Sequence, residues 1–430
     1  MVYSLFFLVL AFVLVQSTCF AKEVMLSYQQ YGRLNQPANA EASDNWVGLS
    51  YDRLKEHSGG GLSKIAVDAR YYNGNGRWAV SVPELYYRKD RTNSHMAFGR
   101  QILDWAPNEK FWLLGELNPQ RGFNLLEENQ EGVMGAKFSR SKGPFQVDVF
   151  GSYLYAPQLN PGYAIQDGRV VGQTEWSKLP PTKVSYNDAE VPLRYTLENP
   201  DMGKLIFRPT LGMRLGLNWG SGGVSVYGIH KPESQVRINA TGHYEQDTVE
   251  QAAVTAKPFA NQQNIVGTHV MQKLGQVELT VGGMAISPEK KGDPDFQFEA
   301  IKIQPVYEDY VYSYAGAAYK SAYGEISANY IELMNNLNGK EVMLGKTTRW
   351  RKAVGGKVDY NFSDRFVFAV SYRQDLEIGD RLLTQSVGYN VSKSAKVMAG
   401  IEFLEAPQKT SFWASYRTND SVYTRLLYNF

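Results

Sequence analysis

Five histidines, and what stands two positions from each, decide first whether this chain could run acid–base chemistry on a strand. Side chains on one face of a strand recur every second residue, so a histidine sharing a face with a serine or an aspartate is separated from it by one position. The residues two beyond His57, His95, His230, His243 and His269 are Gly59, Ala97, Pro232, Glu245 and Met271; none is a serine, and none of the residues two before is an aspartate. No Gly-x-Ser-x-Gly elbow occurs. Gly345-Lys346-Thr347 imitates the end of a phosphate-binding loop, but Gly339 precedes Gly345 by six positions where the motif needs five, so Gly339 to Thr347 reads as a turn. The histidines do not cluster for metal ligation, and Cys19 is the only cysteine. The expectation is no catalytic residue, no metal and no cofactor.

What remains is charge spread at strand spacing. Arg70, Arg208, Arg214, Lys357, Arg373, Arg417 and Arg425 alternate with apolar neighbours, as do Asp68, Asp148, Glu278, Glu325, Asp359, Asp375 and Glu402. Two chemistries fit them: a wall of cross-strand ion pairs, or a charged lining that orients passing solutes. Close opposite-charge pairs such as Arg373 with Asp375 favour a mixed lining and weak ion selectivity. With 45 basic against 43 acidic residues and no basic block, nucleic acid binding has no support.

Alternation shows which elements must carry these groups. Phe207, Leu211, Met213, Leu215, Leu217 and Trp219 share one face of Leu205 to Trp219, and Arg208, Thr210, Arg214 and Asn218 share the other. Phe366, Phe368, Val370 and Tyr372 alternate with Val367, Ala369, Ser371 and Arg373; Val354, Val358 and Tyr360 alternate with Ala353, Lys357 and Asp359. Trp46, Val47, Leu49 and Tyr51 open such a segment early in the chain, which leaves no room for a separate plug domain. About twenty segments of roughly ten residues follow one another between Gly, Asn, Asp and Ser clusters. The 430 residues have a mean hydropathy of -0.37, yet 13% are aromatic and 28 are Tyr, a composition that suits strands with one face to lipid and girdles at the interfaces.

At the end of the chain Val422, Thr424, Leu426, Tyr428 and Phe430 share one strand face, with Tyr423, Arg425, Leu427 and Asn429 opposite. This resembles the closing strand of Gram-negative outer-membrane β-barrels, in which a terminal Phe after alternating hydrophobes is the assembly signal. The resemblance implies that Leu426, Tyr428 and Phe430 address the barrel assembly machinery, and that lipid and lipopolysaccharide surround the wall. The apolar run Leu5 to Val15 is too short to span a bilayer and suits a signal peptide cleaved after Ala21, although Met1 to Ser4 carries no Lys or Arg. The expected domains are residues 1–21, a signal peptide, and 22–430, an all-β, transmembrane, antiparallel up-and-down barrel of about 18 to 20 strands.

Three connections are long: Asp104 to Gln130, Pro157 to Gly203, and Lys231 to Gln263, the last with room for an extra hairpin around Val236 to Lys257. Counting back from Phe430, the short turns near Ser363 and Lys393 fall on the side where long loops belong, which conflicts with short periplasmic turns. Phe98-Gly99-Arg100-Gln101-Ile102-Leu103-Asp104-Trp105 resembles a strand end in porin-like proteins of the alginate-export type. That likeness implies a lumen position for Arg100 and a constriction formed by Asp104 to Gln130. The functional expectation is an outer-membrane porin passing small hydrophilic solutes by passive or facilitated diffusion, its oligomeric state open. The inward charges argue against a greasy passage. The competing expectation is a structural or surface-adhesion barrel whose lumen is closed by the loops.

Overall fold

Alternation becomes strand wherever it is sustained. The computed structural model describes residues 24–34, 43–74, 76–158, 160, 164–171, 176–177, 180, 182–186, 189–244, 252–289, 308–334, 348–409 and 411–430. The expected signal peptide and the turn at Gly339 to Thr347 lie outside the described residues. In chain order the strands are β1 (Val24–Arg33), β2 (Ser43–His57), β3 (Gly61–Tyr72), β4 (Arg77–Arg91), β5 (Ser94–Gln101), β6 (Val133–Lys142), β7 (Phe145–Leu154), β8 (Ala164–Gln166), β9 (Arg169–Val171), β10 (Lys183–Tyr186), β11 (Ala189–Leu197), β12 (Phe207–Trp219), β13 (Gly222–Pro232), β14 (Arg237–Tyr244) and β15 (Ala252–Phe259). They continue with β16 (Gln262–Leu274), β17 (Val277–Pro288), β18 (Tyr310–Ser321), β19 (Gly324–Leu333), β20 (Lys352–Asn361), β21 (Phe366–Asp375), β22 (Arg381–Asn390), β23 (Ala395–Glu405) and β24 (Ser421–Asn429).

One 18-stranded sheet holds all of these except β8 to β11, β14 and β15. Each strand pairs antiparallel with the next member of the sheet, β7 with β12 and β13 with β16 where the chain leaves the wall and returns. The last strand, β24, pairs with β1 from Met25↔Asn429 to Arg33↔Ser421, so the sheet closes and has no edge. Closure is what a hydrocarbon environment demands, since an unpaired edge there leaves backbone groups unsatisfied at several kcal/mol each. The outward face agrees. Leu211, Met213, Leu215, Leu217 and Trp219 are exposed on β12, Val266 and Val270 on β16, and Val422, Leu426 and Tyr428 on β24. A closed barrel with this belt is a membrane-facing wall.

The expected extra hairpin exists but stays out of the wall: β14 and β15 join β10 and β11 in a separate 4-stranded sheet, β11 and β15 running parallel. The wall's 18 strands stand at the lower bound of the expected 18 to 20. The expected conflict over Ser363 and Lys393 also disappears. Trp413–Tyr416 is a 3-10 helix, not a strand, and residues 406–420 form one connection between β23 and β24. With β23 followed directly by β24 in the wall, the turns at 362–365 and 391–394 fall at the same end as Val24 and Phe430, and the long connections fall at the other. One more boundary shifts. Leu205 and Ile206 belong to a short helix (Met202–Ile206) capped by Asp201, so β12 starts at Phe207.

The interior is packed at the long-loop end. Inward residues Tyr227, Ile229, Ile265, Met284, Ile286, Tyr312, Tyr314, Ile331, Leu382 and Leu404 form one apolar cluster with Leu103, Trp105, Trp112, Leu113, Leu117, Leu125 and Leu126 of the β5–β6 connection. Two inward tyrosines lie over glycines of the neighbouring strand: a Cβ on Gly267 would come 2.3 Å from the Tyr227 ring, and one on Gly282 would come 2.6 Å from that of Tyr314. Only glycine admits those rings.

Candidate functional site: a charged cavity beneath an inserted loop

After β5 the chain turns into the barrel, and residues 102–132 stay there until β6. The loop carries its own skeleton. Asn118 clasps Leu103, accepting from its N–H and donating to its C=O, both at 2.8 Å. The Glu109 carboxylate accepts from the N–H groups of Leu117 at 2.5 Å and Asn118 at 3.2 Å. Burial pushes Glu109 up to about 7, against these two hydrogen bonds, with Glu116 adding to the rise and Lys231 opposing it. Leu113 takes a positive φ of 55° at the bend. On the loop's apolar side Trp112 meets Trp350 edge-on at 5.6 Å, Trp350 donates to the Trp112 carbonyl at 2.7 Å, and Trp350 meets Trp413 at 5.6 Å. Trp176 packs on Tyr416 at 5.6 Å and extends this cover to the loop after β7.

The tip of the loop is acidic, and the wall answers it with cations. Glu127 pairs with Arg425 at 2.8 Å and Arg70 at 3.3 Å. Arg70 also pairs with Asp68 at 3.0 Å, which Arg121 of the loop meets at 2.5 Å. Glu128 is held by Arg373 at 2.6 Å and Lys357 at 3.0 Å, and Lys357 reaches Asp359 at 3.1 Å. Glu131 takes Arg100 at 2.8 Å, and Arg100 donates to the Gly132 carbonyl. The cations lie over rings as well: Arg373 sits 4.6 Å from the centroid of Phe111 and Arg70 4.5 Å from that of Trp46. Although burial alone would raise it, Glu127 is held down at about 2 by Arg70, Arg425 and Arg121.

Five of the sequence-derived candidates, Arg70, Arg100, Lys357, Arg373 and Arg425, thus converge on three loop glutamates. Sequence reasoning left those glutamates out of the charged set. The signal was present, because Glu127 and Glu128 lie inside the segment read as a constriction and Glu131 is one residue past its end. Other candidates go elsewhere. Arg214 pairs with Asp148 at 2.6 Å on the inner face of β7 and β12. Glu402 accepts from Asn124 at 3.0 Å and Ser421 at 3.1 Å, and Asp359 stays with Lys357. Asp375 accepts from the backbone of Arg351, Glu377 and Ile378, capping the turn after β21 rather than lining a passage. Arg208 is half-buried at the start of β12, beside its irregular register with β7. The candidate Arg417 is corrected: it follows the 3-10 helix, exposed in the β23–β24 connection and on no strand. Leu426 and Tyr428 face outward, and the Phe430 N–H donates to the Val24 carbonyl at the seam.

Beneath the loop tip lies a cavity of about 500 Å³, lined by Asp68, Arg70, Arg121, Glu127, Glu128, Lys357, Asp359, Glu402 and Arg425 with Ser371, Gln385 and Trp46. Such a space accepts water and small polar solutes and offers both signs of charge within a few ångströms.

No family model matches the chain, and no curated protein does. Among solved structures it is similar to OccK5 (OpdH) of Pseudomonas aeruginosa, at 11% identity and a TM-score of 0.49, covering 95% of this chain and 97% of that one. OccAB3 of Acinetobacter baumannii gives 10% and 0.48 over 95% and 98%. The Salmonella typhi OmpF complex with daunomycin gives 11% and 0.42, again over 95% and 98%.

Proposed function

We propose that this protein is an outer-membrane channel giving passive or facilitated diffusion of small hydrophilic solutes, with weak ion selectivity. Residues 1 to 21 are removed on export, and the closing strand presents Leu426, Tyr428 and Phe430 to the assembly machinery. The observation that carries the reading is the mixed-charge cavity enclosed by an 18-stranded wall. Barrels of about 16–18 strands are wide enough to hold an aqueous passage, whereas side chains fill those of about 8. Here the loop at 102–132 narrows that passage, and the ion pairs at its tip set how far.

Single-channel recording in planar bilayers tests it. Discrete open steps are expected from the wild type, and larger steps from Glu127→Ala/Glu128→Ala, which frees the tip. Silence in both forms would return the molecule to the loop-closed structural barrel.

A further inference from the structure

The wall is not equally tall all round. Crossing a bilayer at a tilt takes about 9–11 residues per strand, but β5 has 8. The uppermost rung between β4 and β5 is Leu85↔Arg100. Above it β4 runs on through residues 77–84, paired with β3 on one side and with no strand on the other. Across the gap, the uppermost rung between β6 and β7 is Ala136↔Gly151, and Tyr153 and Leu154 continue above it. The gap is a notch towards the long-loop end. Its flanks face lipid, since Trp78 and Val80 on β4 and Tyr153 on β7 are large exposed side chains on the outward faces of their strands.

A cavity of about 490 Å³ lies in this notch, with Val80, Ala156, Pro157 and Val236 on its apolar side and Ser81, Arg100, Glu131, Gln158 and Asn160 on its polar side. Val80 points outward and is 55% exposed. Ser81 and Glu131 are buried on the lumen side, joined by a hydrogen bond of 2.5 Å, and Arg121 of the inserted loop reaches Ser81. One cavity can touch both faces of a strand only where the wall is interrupted. The volume falls within the roughly 300–1,000 Å³ of small-molecule sites. Val80, Ala156, Pro157 and Val236 give it one apolar side, and Val80 is itself part of the lipid-facing belt.

We propose that the notch is a lateral lipid site, in which an acyl chain of an outer-leaflet lipid leaves the bilayer and packs on Val80, Ala156, Pro157 and Val236. The seated chain covers the gap that the short β5 leaves in the wall. Its tip comes to rest against Ser81 and Glu131, the wall contacts of the inserted loop.

Fluorescence quenching tests this. Ala156→Cys and, separately, Val236→Cys in a Cys19→Ser background carry bimane, in phosphatidylcholine vesicles with or without mid-chain brominated phosphatidylcholine. Leu215→Cys on the outer wall and Ser371→Cys in the lumen serve as references. The expected result at either notch position is a bromolipid-dependent loss of fluorescence comparable to that at Leu215, with less iodide quenching than at Ser371. A notch label that bromolipid leaves bright, or that iodide quenches as strongly as the lumen label, overturns the proposal. Two positions are used so that misfolding of one variant does not decide the matter.

Discussion

Glu127 and Glu109 sit in the same inserted loop and respond to protons in opposite directions. The folded-state value of Glu127 is depressed, to about 2, so its contribution is present above the ordinary glutamate range and is lost as pH falls through about 2. That of Glu109 is raised to about 7, so its contribution is full below the ordinary range and is lost as pH rises through about 7. The loop is therefore held best around the ordinary glutamate range, and its hold weakens from there to neutrality as Glu109 ionises. Closures and flickers in channel recordings should become more frequent from pH 5 to pH 8 in the wild type. Glu109→Gln, which copies the protonated form, should flatten that rise; an unchanged profile would remove Glu109 as its cause. Charge at the tip gives a second expectation. Glu127→Gln leaves Arg70, Arg121 and Arg425 with less acidic compensation around the cavity, so the reversal potential in a potassium chloride gradient should move towards anion selectivity. A potential that stays at the wild-type value would mean that permeating ions do not pass this cluster.

The face of a single strand can be tested on β21. Phe366 and Tyr372 are exposed outward, which puts Val370 on the lipid face, while Ser371 is buried and lines the cavity. Val370→Arg should cost about 2–4 kcal/mol if it lies at the bilayer midplane, whereas Ser371→Arg should cost less because its charge enters a hydrated space. Refolding titrations into vesicles would show the difference, and equal costs would mean that the register of β21 is shifted. Such faces were legible in the sequence because a barrel wall is the purest case of period-two patterning: β12, β20, β21 and β24 all present the faces that their alternation indicates. Counting the elements was harder, since local alternation does not say which strand a segment pairs with. The hairpin of β14 and β15 alternates too, yet it joins β11, and the aromatic segment around Trp413 coils because it covers the barrel mouth. Arg417 was misplaced for the same reason. The inserted loop was visible as a long irregular connection, but its acidic tip was not assigned, because its partners on β3, β20, β21 and β24 are brought near only by closure.

At the scale of the molecule, the wall accounts for stability and the loop for what the lumen can do. Every wall strand has a paired neighbour on both sides, β4 meeting β5 only from Leu85 to Arg91, and the sheet closes on itself. Unboiled protein in mild detergent should therefore migrate on a denaturing gel at a position different from that of boiled protein, with a β-dominated circular dichroism spectrum that survives until the gel shift is lost. A helix-dominated spectrum would be incompatible with the pairing described. Gly267→Ala offers a packing test across the whole interior. The added methyl must displace the Tyr227 ring, and overpacking of this kind costs about 1–3 kcal/mol, measurable as a lower midpoint in the same unboiled-to-boiled transition.

The seam between β1 and β24 joins Met25 to Asn429, so the first wall strand waits for the last. Bringing such distant segments together spends chain entropy before any rung of the seam forms. The inserted loop waits as well, because Trp112 packs on Trp350, and Arg425 and Arg373 grip Glu127 and Glu128, all from strands or connections synthesised far later. Until then its tryptophans and leucines have no interior to enter. Threading them afterwards through a finished ring would mean carrying Glu127, Glu128 and Glu131 past an aromatic mouth. The order of events that avoids this is simultaneous: late strands gather around the waiting loop, and the ring is cast on its own core.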